Sequence, residues 1–256
     1  DPLAFFYGRK FFSIKTGDWN DHKNWSNIGH NGARSQYFPG DIFFQDTVLI
    51  DGYTITFKDS SHILIDSLRI GGTNPAVGQG VLTFGVTPLN KTLELRQIAT
   101  AEDGLINSAI AGNRQDTLKI RKNFSHNSTA THILRFSDNL ATHLLFADSL
   151  NSVLSGTGPW GSLGNVFLNK NRGLSDTLEI TATQFGAATN ASTNYMFRPL
   201  SGILKFNNNQ TNYISSNIVD TVAFQPFSGL HIVNGTVASK TSVITNSNTT
   251  FYINGG

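Results

Sequence analysis

Two tryptophans six residues apart, Trp19 and Trp25, stand in the stretch "TGDWNDHKNWS" (residues 16–26) among Gly, Asp and Asn. Indole rings stack on pyranose faces, so with Tyr37 and Trp160 they are candidate glycan contacts. The same rings serve equally as packing residues, and tryptophan is mostly buried in folded chains. Asp18, Asn20 and Asp21 offer closely spaced oxygens of the kind calcium takes. Neither EF-hand spacing nor an Asp-Gly nonapeptide repeat accompanies them, so turn formation explains them better. His22 and His30 are nitrogen donors for a metal, but no third ligand follows at a suitable spacing. We therefore expect no metal and no cofactor.

Cleavage of a polysaccharide needs clustered carboxylates, or a carboxylate with a metal and a base, on one outer face. Acids are sparse here. Outside the Asp-Ser/Thr turns the main ones are Glu94, Glu102, Asp103, Asp138 and Glu179. No Gly-x-Ser-x-Gly elbow and no phosphate loop is present. Cysteine is absent, which removes thiolate chemistry and disulfides. Net charge is +2, with 19 basic against 17 acidic residues and no basic run, so nucleic acid is not an expected partner. No apolar stretch reaches the ~18 residues of a membrane span. These features point to a protein that is not an enzyme.

The elements that must position these residues read as strands. Charged residues make up 14% of the chain, against about a quarter in an average soluble domain. Gly, Asn, Ser and Thr are abundant, as in turn-rich extracellular β proteins. A triplet of Leu, any residue, then Ile, Leu or Phe recurs. It starts at Leu68, Leu93, Leu118 and Leu144, then at Leu178, Leu204 and Leu230, in steps of 25, 25 and 26, then 26 and 26, with 34 between the sets. A second track, Leu82-Thr83-Phe84 and Leu134-Arg135-Phe136, is spaced by 52. Repeats of this length signal stacked units. The alternation points the Leu and its partner inward and the middle residue outward. The middle residues Arg69, Glu94, Lys119, Glu179, Lys205 and His231 are polar. A β-sandwich has strands at shorter spacing, about 8–12 residues. The expected fold is therefore all-β, a right-handed parallel β-solenoid with coils of about 25 residues. In this ladder Glu94 and Glu179 hold equivalent positions several coils apart.

The expected organisation is an N-terminal cap over residues 1–45 and a solenoid over 46–256, with a Gly-rich irregularity near 151–170. Short helical stretches are expected near 96–104 and over 183–195. Trp19 and Trp25 would cover the open end of the first coil, because terminal repeats must hide apolar side chains and strand edges. Asp51-Gly52 suits a tight turn between strands or a corner between coils. The opening "DPLAFFYG" suits a mature N-terminus, and the closing "FYINGG" breaks off mid-pattern, as in a fragment of a larger protein.

Asp followed by Ser or Thr and an aliphatic residue occurs six times, at Asp46, Asp66, Asp116, Asp148, Asp176 and Asp220. Locally, such an Asp caps the turn into a strand through an Asx-type hydrogen bond.

The order of elements over residues 16–57 is Gly-x-Trp, Trp-Ser, a Gly-His-x-Gly loop, Pro, then Asp-x-Val-x-Ile-Asp-Gly. It resembles the N-terminal module of secreted, surface-attached Bacteroidetes proteins carried by the type nine secretion system, some of them gliding-motility adhesins. It is more distantly similar to the eight-glycine extracellular domain. The resemblance implies an exported cell-surface glycoprotein, outer-membrane associated, whose partners are surface polysaccharide or other cell-surface proteins. It also implies O-glycosylation at the Asp-Ser/Thr tripeptides, on Thr47, Ser67, Thr117, Ser149, Thr177 and Thr221. The expected function is a non-enzymatic structural or adhesin role, as the N-terminal region of a large surface adhesin. The alternative is a carbohydrate-binding or polysaccharide-degrading β-helix module.

Overall fold

A computed structural model describes residues 8–42, 44–58, 62–72, 79–85, 90–101, 103–108, 116–128, 134–135, 142–160, 164–183, 195–215, 221–239 and 242–254. Its strands begin with β1 (Lys10–Ser13), β2 (Gly17–Asp18), β3 (Trp25–Ser26), β4 (Thr47–Ile50) and β5 (Thr54–Phe57). Then come β6 (His62–Ile70), β7 (Val81–Phe84), β8 (Thr92–Thr100), β9 (Leu105–Ser108) and β10 (Asp116–His126). Next are β11 (Leu134–Arg135), β12 (Thr142–Asp148), β13 (Ser152–Ser155), β14 (Gly164–Lys170) and β15 (Thr177–Ile180). The last are β16 (Tyr195–Ser215), β17 (Val222–Phe224), β18 (Ser228–Ser239), β19 (Val243–Thr245) and β20 (Thr250–Ile253).

Strands pair in parallel with those of neighbouring coils, which makes the fold a β-solenoid. The exceptions among the described residues are β3, which returns antiparallel to β1, and an antiparallel bridge from Ser26 to Arg34. Three faces can be followed. The first holds the leading halves of β6, β8 and β10, then β12, β14 and the start of β16. The second holds β1, β4, the trailing halves of β6, β8 and β10, then β13, β15, the middle of β16, β18 and β20. The third holds β2, β5, β7, β9 and β11.

Inner residues stack in columns. On the second face one column runs Phe11, Val48, Leu68, Ile98, Phe124, Leu154, Ile180, Phe206, Ile232, Ile253. Its members from Phe11 to Phe206 are buried. Each such side chain contributes on the order of 1.5–3 kcal/mol when taken out of water. Later coils add buried amides: Asn208 and Asn212 bond each other through both side chains, and Asn208 Nδ2 also donates to Ala182 O at 2.8 Å.

The pairing revises the ladder. Leu68 stacks on Ile98, 30 residues on, and Leu93 stacks on Ile63. The triplets starting at Leu93, Leu118 and Leu144 lie on the first face, whereas those at Leu68, Leu178, Leu204 and Leu230 lie on the second. The step of 25 from Leu68 and the step of 34 into Leu178 are both changes of face. The second track holds in the backbone: Leu82, Ile106 and Leu134 stack on the third face, two coil steps over 52 residues.

One local expectation is corrected. Residues 96–100 are not helical. They form the trailing half of β8, where Ile98 and Thr100 point inward beneath the next coil. Propensity alone suggested a helix, and stacking overrode it. The second helical expectation, 183–195, lies almost wholly outside the described residues. Asp51-Gly52 is a corner and not a hairpin turn, because β4 and β5 belong to different sheets. Gly52 takes φ +69 there, a conformation that suits glycine.

The Asp dipeptides act across the fold. Asp46 accepts from Arg9 N, Arg9 Nε and Arg9 Nη2 at 2.9–3.2 Å and from Gly40 N at 2.9 Å. Asp116 accepts from both Lys91 N and Lys91 Nζ, each at 2.9 Å. Asp176 accepts from Arg172 N and the Arg172 guanidinium. All three carboxylates are fully buried. Each is gripped by one basic residue through its backbone and its side chain together. The local Asx bond expected of them is thus replaced at these positions by a cation latch, which neutralises a charge that burial would otherwise penalise. Asp148 bonds locally, to Ser149 N at 2.8 Å. Asp220 lies outside the described residues.

Candidate functional site

The outer side of the second face carries a groove of about 740 Å³. Two outward columns floor it. One runs Lys10, Thr47, Ser67, Gln97, Asn123, Val153, and the other Phe12, Leu49, Arg69, Ala99, Ser125, Ser155. Six coils contribute, so at about 4.8 Å per strand the groove spans roughly 24 Å. Apolar surface makes up most of its lining, from Phe12, Leu49, Ala99 and Val153 among others, with hydroxyls and amides interspersed and Lys10 and Arg69 as cations. Ser67 Oγ donates to Thr47 Oγ1 at 3.1 Å, which fixes two of the hydroxyls. Among the described residues no carboxylate lines it. Beyond Val153 the next residue in register is Glu179, held by Lys205 Nζ at 3.1 Å and Asn207 Nδ2 at 2.8 Å. Burial opposes its charge, but these donors prevail and keep the carboxyl below its ordinary range.

Glu94 stands on the outer side of the first face, so the two glutamates occupy different faces and not equivalent ladder positions. It is nearly buried and is ringed by His62 Nε2 (3.0 Å), Lys119 Nζ (3.0 Å) and Arg121 (2.6 Å). Desolvation pushes its carboxyl up, but hydrogen bonds and charge from Lys119 and Arg121 outweigh it, and the net shift is downward. An ionised carboxylate saturated by cations is neither a general acid nor a free base. Both glutamates share one arrangement: each faces a lysine directly across the strand, Glu94 with Lys119 and Glu179 with Lys205.

The other sequence-stated candidates separate. Trp19 and Trp25 are fully buried, with ring centres 5.3 Å apart and edge-to-face. Their indole N–H groups donate to Pro39 O (2.9 Å) and Trp19 O (2.8 Å). Trp19 also meets Phe57, and Trp25 meets Phe11. They present no ring face to a sugar, which corrects the glycan-contact role and leaves them as packing beneath the cap. Trp160 is half-buried against Phe124 and His126. Tyr37 is exposed beneath the Arg9 guanidinium, 5.0 Å from its centroid. Asp18 pairs with Lys58 at 2.9 Å, and Asp21 accepts from Lys23 N at 3.0 Å to cap a short 3-10 turn. His22 and His30 each donate Nδ1–H to a backbone carbonyl, Ser35 O and Ser13 O. Among the described residues no group of three metal-binding side chains exists. Glu102 and Asp138 lie outside them.

Of the candidate glycosylation hydroxyls, Thr47, Ser67, Thr117 and Thr177 lie half-buried on strands, Thr221 is half-buried beside β17, and Ser149 sits on a turn beside the exposed Leu150. The groove itself was missed by sequence reasoning. Its residues are polar and apolar side chains that alternation marks only as outward.

The fold and this face define a parallel β-solenoid with a largely apolar outer groove that carries no carboxylate among the described residues. Comparison with protein-family models, with curated proteins and with solved structures finds no match for the chain. No helix among the described residues is long and apolar enough to cross a membrane.

Proposed function

We propose that this protein is a non-enzymatic, exported cell-surface solenoid, the N-terminal region of a larger adhesin, whose adhesive surface is the groove of the second face. The groove carries this reading. It is long, and its floor on a rigid sheet mixes apolar surface, Phe12 and Leu49 included, with hydroxyl and amide side chains. Such a surface suits an extended neutral polysaccharide, whose hydroxyls pair with Gln97 and Asn123 while its ring faces rest on the apolar patches. The absence of a carboxylate in the groove favours binding over cleavage. Export through the type nine system and O-glycosylation rest on the module resemblance of residues 16–57 and on the Asp-Ser/Thr tripeptides.

A glycan array probed with the purified chain tests the adhesive role. Binding to neutral glycans that weakens at least tenfold in Phe12→Ala/Gln97→Ala supports it; binding untouched by that double variant sinks it. Surface-protease digestion of intact producing cells, with and without a working type nine system, tests export.

A further inference from the structure

We propose that the capped end of the solenoid carries a second site, a basic pocket that binds anionic polysaccharide bearing carboxylate or sulfate groups. The pocket is a concavity of about 440 Å³ walled by Lys15, Lys23, His30, Arg34, Tyr53 and Ile14. It stands apart from the groove and does not depend on the groove's role.

Charge is the first observation. Elsewhere eight cations are in ion pairs: Arg9, Lys58, Lys91, Arg96, Lys119, Arg121, Arg172 and Lys205. Lys15, Lys23 and Arg34 converge on one concavity, and no described carboxylate pairs with any of them. In a chain of net charge +2 this is a local concentration of positive charge. Such a concentration lowers the free energy of an incoming anion and steers its approach.

Rigidity is the second. The loop that carries the site is held by His30 Nδ1 to Ser13 O (2.7 Å), Gly32 N to Gly29 O (2.9 Å) and Ser35 N to Trp25 O (2.7 Å). It packs so closely that a Cβ on Gly32 would collide with Ser26 Oγ. Beneath it lie the buried indoles. The cations are thus presented from a preorganised frame, which reduces the ordering cost of binding.

Size and surface favour a glycan over a small ion. The cavity falls in the range of organic-ligand sites. The Tyr53 ring and Ile14 give it apolar wall, and Asn31 supplies an amide. A sugar ring uses all three, whereas an inorganic anion uses the cations alone.

The test measures binding of the purified chain to immobilised dextran sulfate, polygalacturonate and uncharged dextran. We expect both polyanions to bind, dextran not to bind at this site, and affinity to fall with rising salt. Lys15→Ala/Lys23→Ala/Arg34→Ala, all exposed positions, should lose at least tenfold while circular dichroism stays unchanged. Lys10→Ala/Arg69→Ala, in the groove, should keep wild-type affinity for the polyanions. Retained binding in the triple variant, equal loss in the groove variant, or full displacement by inorganic sulfate at matched ionic strength would each overturn the proposal. Neutral-glycan binding reports separately on the groove.

Discussion

Lys91 and Asp116 meet 2.9 Å apart with both side chains fully buried, and the same aspartate also takes the Lys91 backbone N–H. The pair joins adjacent coils at the entry to the first face, where Lys91 Nζ also reaches Gly85 O at 2.7 Å. Removing one partner strands a charge in the interior. Asp116→Ala is expected to destabilise the fold by about 3–5 kcal/mol in urea denaturation. Lys91→Met/Asp116→Leu, which removes both charges, should lose less than Asp116→Ala. Simple additivity of the single losses would show that the two do not act as a unit.

Acid sensitivity should centre in part on Glu94. Its folded-state carboxyl lies below the ordinary value of 4.5. As pH falls, the unfolded chain therefore takes up the proton first, and the stability present above 4.5 is lost through the folded value. Glu94→Gln should flatten the decline of stability below about pH 4.5. An unchanged acid limb would show that the surrounding cations do not depend on this carboxylate.

His126 should give a second dependence at higher pH. Its Nε2–H donates to Pro159 O at 3.1 Å, so Nδ1 is the acceptor for Thr100 Oγ1. Burial lowers the imidazole to about 4 from an ordinary 6.5. Between those values the unfolded chain binds a proton that the folded chain does not. Stability therefore falls with pH from about 6.5 to about 4, by on the order of 3 kcal/mol. Imidazole nitrogen shifts should show the Nε2–H tautomer persisting to pH 5, and His126→Gln should remove this part of the pH profile.

Trp19 and Trp25 are shielded, so acrylamide quenching of a Trp160→Phe variant should be weak and unchanged by any bound glycan. Trp19→Ala should cost about 3–5 kcal/mol, since it empties a site between Trp25 and Phe57. Strong quenching that glycan suppresses would return these rings to the role of sugar platform.

Peptide mapping of the native protein tests modification. Ser149, on a turn, is the expected O-linked position, and Thr47 is not, because its Oγ1 is engaged by Ser67 within a strand. Occupied Thr47 with bare Ser149 would count against this ranking.

Much of the architecture was legible along the chain. The Leu-x-Ile/Phe triplets reported inward columns because alternation is a local property of a strand. The site was less legible. Lys91 and Asp116 are 25 residues apart, and Arg9 and Asp46 are 37 apart, so no local motif joins them. Glu94 and Glu179 looked equivalent because their triplets match, yet matching triplets occur on two faces. The Trp pair showed that large rings were present without showing which way they point.

By itself the sequence determined that this chain is all-β, repetitive near 26 residues, and alternates apolar inward positions with outward ones along its strands. Only the tertiary structure decided which triplet lies on which face, which basic residue grips which buried aspartate, and which outward residues align into a groove. The physical reason lies in the corners. Along one column the coil steps range from 37 residues, Phe11 to Val48, and 20, Val48 to Leu68, to a repeated 26. Alternation fixes inside from outside within a strand, but register between strands is set by those connections, and the triplets do not encode them.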